Sequence, residues 1–295
     1  MKNKLSILAL STAGTGTDST TNKQSTNTMK SKTLASSLIL FATAATSHAA
    51  ISVQDSFLTG GGSNYTVGNI EGQNPTTLGF SGAWVNNFGD TGNKTVSATN
   101  LSPSVNAGGS VNFVHDGRIG RSLTSAISTT GTIYIGFTFQ ASAANYQALE
   151  FTSGGTDDSN RTIQVGASGS DFGGANFGLR VNNTNTLQLQ SDTAFNTNIN
   201  TYVLRLNLSA TSNGDSITMF VNPANESSGS TTLTGFDFNG IDRLGIANFS
   251  SAGLSIGVDE IRFADNFAEA IPEPSSSALL LGGLGSLALI LRRRS

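Results

Sequence analysis

Short runs of β-branched and aromatic residues, bounded by Gly, Asn, Asp and Ser, recur through most of the chain. They occupy residues 132–140, 162–165, 177–181, 186–190, 201–208, 216–222, 243–248 and 257–264. Between 202 and 208 the pattern has period two, which places one set on one strand face and the rest on the other: Tyr202, Leu204, Leu206 and Leu208 against Val203, Arg205 and Asn207. Strand-length runs with turn residues between them predict an all-β fold, a single antiparallel β-sandwich.

The composition supports this fold class. The chain is rich in Gly, Ser, Thr and Asn, whereas helices favour Ala, Leu, Glu and Lys. Asn213-Gly214-Asp215 lies between two predicted strands and predicts a hairpin turn, because Asn and Gly tolerate positive φ. The chain has no cysteine, which excludes thiolate zinc sites and cysteine nucleophiles.

The charge is unevenly distributed. Between residues 51 and 270 there are eight basic and seventeen acidic residues, a net charge of −9. The remaining positive charge lies near the two ends of the chain. An acidic body repels phosphate backbones, so we expect no binding of nucleic acid.

The N-terminal part has the features of an export signal. From Met29 a basic start is followed by an apolar run and then by small residues, as in a secretory signal peptide. We predict a signal peptide at 29–49, cleaved after Ala49 and recognised by the secretion machinery. Residues 1–28 are then either a misassigned start, with translation beginning at Met29, or a disordered extension that begins at Met1.

The C-terminal part, 269–295, has three features in a fixed order. Pro272, Glu273 and Pro274 come first, an uncharged segment of fourteen residues follows at 278–291, and Arg292, Arg293 and Arg294 come last. The two prolines favour an extended backbone that a partner can bind. The apolar segment predicts a short transmembrane helix, below the ~20 residues that a robust span needs. The arginines would stay on the cytoplasmic side, leaving the predicted sandwich at 50–268 outside.

This order of features resembles the PEP-CTERM sorting domain of Gram-negative bacteria. The resemblance implies that Pro272, Glu273 and Pro274 are recognised by an exosortase-like membrane processing enzyme. It also implies that the apolar helix is a transient span in the inner membrane and that Arg292 to Arg294 form the stop-transfer signal. The protein would then reach the cell surface or extracellular matrix. The alternative is an ordinary proline-containing linker before a plain membrane anchor.

The strand pattern at 202–223, followed by that at 258–264, resembles the closing strands of concanavalin A-like, or laminin-G-like, jelly rolls. That fold hosts lectins, glycosidases and purely structural modules, so the resemblance implies a fold and not an activity.

The body offers little that predicts catalysis. His115 is its one histidine, and the neighbouring Asp116 is poorly placed to orient it. The carboxylates Glu150, Glu226 and Glu269 stand alone in sequence, and the paired-carboxylate strand motif of concanavalin-like glycosidases is absent. Asp157 and Asp158 are more typical of a solvated turn than of a calcium loop. We therefore expect no catalytic residues, no metal and no cofactor.

Trp84 is the single tryptophan, and two interpretations of it remain open. It can be a stacking platform for a sugar ring, or a large aromatic of the core. The sequence as a whole predicts a non-catalytic exported surface or matrix protein that can associate with extracellular polysaccharide. A carbohydrate-binding module that uses Trp84 is the alternative, and a secreted glycosidase is the third.

Overall fold

The computed structural model describes residues 51–60, 64–89, 94–101, 109–114, 116–127, 130–155, 161–167, 176–182, 188–250 and 253–271. Its strands are β1 Ile51–Asp55, β2 Gly68–Asn69, β3 Phe80–Gly89, β4 Lys94–Ser97, β5 Ser110–Val114, β6 Gly117–Ile127, β7 Gly131–Ala141, β8 Tyr146–Thr152, β9 Arg161–Gly166, β10 Asn176–Val181, β11 Leu189–Ala194, β12 Asn200–Leu208, β13 Asp215–Val221, β14 Ser230–Phe236, β15 Ile241–Phe249 and β16 Ser255–Ala264. A short helix, α1 (Phe267–Ala270), follows the last strand.

Two antiparallel sheets form within these described ranges. The first has nine strands in the order β14-β13-β12-β7-β16-β5-β4-β2, with β1 added beside β16. The second has seven strands in the order β11-β10-β9-β8-β15-β6-β3. Strands that neighbour each other in space are often far apart in sequence, as β7 and β16 are. The prediction of an all-β antiparallel sandwich is confirmed.

The core lies between the sheets and is built mainly from alternate residues of the strands. The Tyr202 ring of the nine-stranded sheet stacks on Phe137 with a centroid separation of 5.1 Å and meets Phe177 of the seven-stranded sheet edge-on at 5.4 Å. Tyr202, Leu204 and Leu206 are all buried in this core, as their spacing predicts. Such interdigitated aromatic and aliphatic side chains supply the main driving force for folding.

The second face of β12 is also partly buried, for a local reason. Val203 alternates with Tyr202 and Leu204 and so points away from the core, where α1 covers it. This small outer cluster also contains Tyr134, Phe220 and Phe267. Strand alternation places Val203 on the outer face of the nine-stranded sheet, and α1 packs there against residues of several strands.

The turn predicted at 213–215 is present, but its boundaries differ from the prediction. Asn213 has a positive φ of 55°, but the connection runs from 209 to 214, and Asp215 already belongs to β13. The Asp215 carboxylate accepts hydrogen bonds from the backbone amides of Ser209 and Phe238, at 2.6 and 2.5 Å. Asp215 thus holds the loop together from the first position of the strand.

Candidate functional site

Trp84 lies in the core of the sandwich. Its side chain is 1% exposed, and the Trp84 ring centroid is 6.1 Å from that of Phe57. The indole Nε1 donates a hydrogen bond to the Tyr65 hydroxyl at 2.7 Å. A ring in this position has no open face for a sugar, because its surroundings already fill that space. The interpretation of Trp84 as an exposed stacking platform is therefore corrected, and Trp84 is a core residue.

Trp84 belongs to a buried polar network that sequence reasoning missed. The Tyr65 hydroxyl donates to Asp55 Oδ2 at 2.6 Å, and Arg121 Nη1 lies 3.5 Å from the same oxygen. Arg121 also donates to Thr77 Oγ1 and to the Pro75 carbonyl, both at 2.7 Å. These bonds tie the segment before β3 to β6, which gives the network a clear structural role.

Burial dominates the electrostatics of this network. It raises the pKa of Asp55 from 3.8 to about 6, although the Tyr65 hydroxyl, the Phe57 amide and the Arg121 charge each act to lower it. Burial also raises the pKa of Tyr65 well above its usual value, with the neighbouring Asp55 as the second cause. Both side chains are at most 2% exposed, which is why burial is the first cause of each shift.

Glu150 is the centre of a second cluster, on the outer face of the seven-stranded sheet. It alternates on β8 with Leu149 and Phe151 of the core and is itself fully buried. Arg118 of β6 binds it with two nitrogens, at 2.5 and 3.2 Å.

Two further groups complete the surroundings of this carboxylate. The Tyr146 hydroxyl donates to Glu150 Oε1 at 2.5 Å, and Arg161 Nη1 lies 3.6 Å from the same oxygen. Burial, followed by the nearby Glu150, raises the pKa of the Tyr146 hydroxyl well above its usual value. Because the loss of one partner would leave a buried charge unpaired, the cluster couples β6, β8 and β9.

The sequence indicated Glu150 as an isolated carboxylate, since its partners are 11 and 32 residues away along the chain. Tyr146 and Glu150 are four residues apart and so share a strand face, which is the one sequence feature that could have predicted their contact. The choice of arginine partners depends on which strands pair, which the local pattern does not encode.

The base of the C-terminal segment is fixed to the sandwich. Asn266 caps α1 by accepting a hydrogen bond from the Glu269 amide, and Phe267 meets the rings of Tyr134 and Phe220 edge-on at 6.0 and 5.2 Å. Arg262 Nη1 donates to the carbonyl of Ile271 at 3.3 Å. Ile271, which immediately precedes the Pro-Glu-Pro sequence, is thus held by the sheet.

Most of the predicted site residues lie outside the described part of the chain. These are Ala49, His115, Asp157, Asp158, Pro272, Glu273, Pro274, Arg292, Arg293 and Arg294, together with the predicted signal peptide at 29–49 and the apolar helix at 278–291. Among the helices that the structure describes, none is long and apolar enough to cross a membrane. The described ranges also contain no group of three or more metal-ligating side chains.

Comparison with known proteins identifies the C-terminal part. Residues 270–294 match the PEP-CTERM protein-sorting motif. The PEP-CTERM tail predicted from Pro272, Glu273, Pro274 and the terminal arginines is thereby confirmed as a sequence motif. None of the curated proteins matches the sequence.

Several solved structures resemble the sandwich at low identity. They include the Emp46p carbohydrate recognition domain in its metal-free form, with 11% identity, a TM-score of 0.40 and coverage of 63% of this chain and 88% of that chain. The VIP36 exoplasmic/lumenal domain with bound Ca2+ and Man3GlcNAc has 12% identity, a TM-score of 0.38 and coverage of 64% and 88%. The botulinum neurotoxin serotype D ligand binding domain, in complex with N-acetylneuraminic acid, has 10% identity, a TM-score of 0.43 and coverage of 67% and 47%. With TM-scores below 0.5, this likeness gives no argument about the fold family or a ligand of this chain.

Proposed function

We propose that this chain is a non-catalytic exported protein whose PEP-CTERM tail is processed by an exosortase-like membrane enzyme, and that it acts at the cell surface or in the extracellular matrix. The match of residues 270–294 to the sorting motif carries the proposal. In this proposal Pro272, Glu273 and Pro274 are recognised, and Arg292 to Arg294 hold the tail on the cytoplasmic side until it is cut. The sandwich is the part that remains, and association with extracellular polysaccharide is its proposed role there.

The geometry of the two buried clusters supports a structural role for the sandwich. Asp55 and Glu150 are buried, ion-paired carboxylates, and each is held by arginine and tyrosine. Glycoside hydrolysis needs two carboxyl groups that face a common substrate. Neither cluster provides such a pair, so hydrolysis of polysaccharide is the less favoured alternative.

Replacing the motif tests the sorting proposal. We expect the triple change Pro272→Ala, Glu273→Ala and Pro274→Ala to leave the chain unprocessed and membrane-associated, because the enzyme loses its extended recognition element. The matched control is the adjacent triple change Ser275→Ala, Ser276→Ala and Ser277→Ala, which should be processed normally. Mass spectrometry of the C-terminus and surface labelling measure the two effects. Unchanged trimming and surface delivery of the motif variant would contradict the proposal.

A further inference from the structure

A polar cleft lies on the outer face of the nine-stranded sheet. It includes Gln140 of β7, whereas α1 contacts the same strand at Gly136. The cavity volume of the cleft is about 530 Å³. This is within the range of roughly 300–1,000 Å³ that is typical of small-molecule sites. The cleft uses none of the residues of the two buried clusters or of the α1 contact.

Strand register creates the floor of the cleft. Gly257 of β16 is paired directly with Gln140 of β7 on one side and with Asn112 of β5 on the other. All three alternate with core residues and so point to the outer face. Adjacent strands are about 4.8 Å apart, which places the two amide side chains about 10 Å from each other with a residue that lacks a side chain between them. The Leu101 side chain packs over Gly257 in the space between the two amides, so the cleft has an apolar base with an amide group on each side.

The walls of the cleft are held in place by hydrogen bonds. The Leu101 amide donates to Asp259 Oδ2 at 3.2 Å, which fixes the Leu101 side chain over Gly257. On the β7 side, Gln140 Nε2 donates to the Thr197 carbonyl at 3.0 Å. Ser142 Oγ accepts a hydrogen bond from the Ser255 amide at 2.7 Å. A site with such fixed walls loses little conformational freedom when a ligand binds.

The lining is polar and uncharged. Among the described residues that line the cleft, serine, threonine, asparagine and glutamine predominate, and none is Asp, Glu, Lys, Arg or His. After its bond to Thr197, the Gln140 amide retains a carbonyl oxygen and one N–H for a ligand, and the Ser142 hydroxyl retains its hydrogen. Asn112 is exposed, and its side chain has no hydrogen-bond partner in the part of the chain that the structure describes.

We infer that this cleft binds an uncharged, polyhydroxylated ligand, a segment of a neutral polysaccharide. Sugar hydroxyls both donate and accept hydrogen bonds, which matches amide and hydroxyl side chains in both directions. The Leu101 side chain offers an apolar surface to the C–H face of a sugar ring. An acidic polysaccharide would find no cation in the lining and would approach a body of net charge −9. The inference rests on the proposed function for one point, that the protein is located where extracellular polysaccharides are present.

Affinity electrophoresis tests this inference on the exported protein recovered from producing cells. The gels contain dextran, galactomannan, mannan or xyloglucan as neutral probes, and alginate or polygalacturonate as acidic ones. We expect at least one neutral probe to retard the wild-type protein and no acidic probe to do so. The double variant Asn112→Ala/Gln140→Ala should bind that neutral probe with an affinity reduced by about tenfold or more, because it loses the amide contacts on both sides of the cleft.

Asn207→Ala is the matched control, since Asn207 is an amide on the outer face of the same sheet, opposite Thr132 at the other end of β7. It should bind like the wild type, and an unchanged urea transition should show that all variants are folded. The inference is overturned if no neutral probe retards the wild type, or if the double variant is retarded as strongly. Surface labelling of the same cells reports sorting separately, so a failure of the cleft and a failure of the proposed function give different results.

Discussion

At the scale of single residues, two carboxylates with similar partners have pKa values shifted in opposite directions, because one is buried and the other is exposed. Asp55 and Glu226 both contact a tyrosine hydroxyl and an arginine, but Asp55 is 1% exposed whereas Glu226 lies at the surface. Burial raises the pKa of Asp55 to about 6, while the hydrogen bonds from Tyr134 and Arg205 lower the pKa of Glu226. Removal from water outweighs the favourable partners at Asp55, because a charge in the core loses most of its hydration.

This difference predicts a pH dependence of stability. The folded protein binds a proton at Asp55 more tightly than the unfolded chain does, since its pKa is about 6 against 3.8. The stabilising contribution is therefore fully present below about pH 4 and is lost as the pH rises to about 6, a difference on the order of 3 kcal/mol. Asp55→Asn should remove this component, so that its unfolding free energy falls less than that of the wild type between about pH 4 and pH 7.

Urea unfolding at several pH values measures the effect. Asp192→Asn, a change of an exposed aspartate, is the control and should follow the wild-type profile. If Asp55→Asn and the wild type lost stability in parallel over this interval, the assigned role of Asp55 would be wrong.

At the scale of elements, the contact between β7 and α1 depends on a single glycine. A Cβ atom at Gly136 would lie 1.6 Å from the carbonyl oxygen of Ala270, so Gly136→Ala cannot be accommodated without displacing the helix. We expect amide hydrogen exchange at 269–271 to become about tenfold faster or more, while the sheets remain protected. Exchange measured by mass spectrometry on peptides covering 265–271 reports this.

Gly245→Ala is the matched change for that experiment. Gly245 is also a strand glycine, but the nearest atom to its added Cβ is 3.5 Å away, an ordinary contact. In the Gly245→Ala variant, amide hydrogen exchange at 269–271 should be as slow as in the wild type. Equal rates in the Gly136 variant would show that α1 is not held against β7.

The predictability of these elements from sequence follows from the range of the interactions. The strand runs at 132–140, 201–208 and 243–248 are confirmed because β propensity and period-two alternation are local properties. The position of the turn at Asn213 was predicted correctly, but its length was not. The connection runs from 209 to 214, because Asp215 belongs to β13 and accepts a hydrogen bond from the amide of Phe238. Neither the Arg118–Glu150 pair nor the position of α1 was predictable, since both depend on which distant strands become neighbours.

Regular alternation also fails at one place in β16. Strict alternation would place the adjacent residues Asp259 and Glu260 on opposite strand faces, but the register shifts between Asp259 and Arg262 and Glu260 has a φ of +53°. The irregularity lets Glu260 approach the Arg262 side chain at 3.0 Å, and Arg262 in turn binds the Ile271 carbonyl. A bulge of this kind arises from tertiary contacts that a period-two pattern does not contain.

At the scale of the whole molecule, folding and sorting should be separable functions of different parts of the chain. The residues of the main core lie between Val53 and Phe263, and α1 completes the outer cluster. A chain that ends at Ile271 should therefore unfold with the same free energy as the processed protein, within about 0.5 kcal/mol. Lacking the PEP-CTERM tail, it should be released into the medium.

A chain that ends at Ala264 is the contrasting variant, because it also loses α1 and exposes Tyr134, Val203 and Phe220. We expect it to be about 2–3 kcal/mol less stable, the value of burying one large aromatic side chain. Urea unfolding and fractionation of cells and medium measure the two properties. If the chain ending at Ile271 were still delivered to the surface, or were as unstable as the shorter one, the sandwich and the tail would not be independent. Separate behaviour is expected because the sandwich draws its stability from pairing between its own strands, whereas the proposed sorting signal matches residues 270–294, after the last strand.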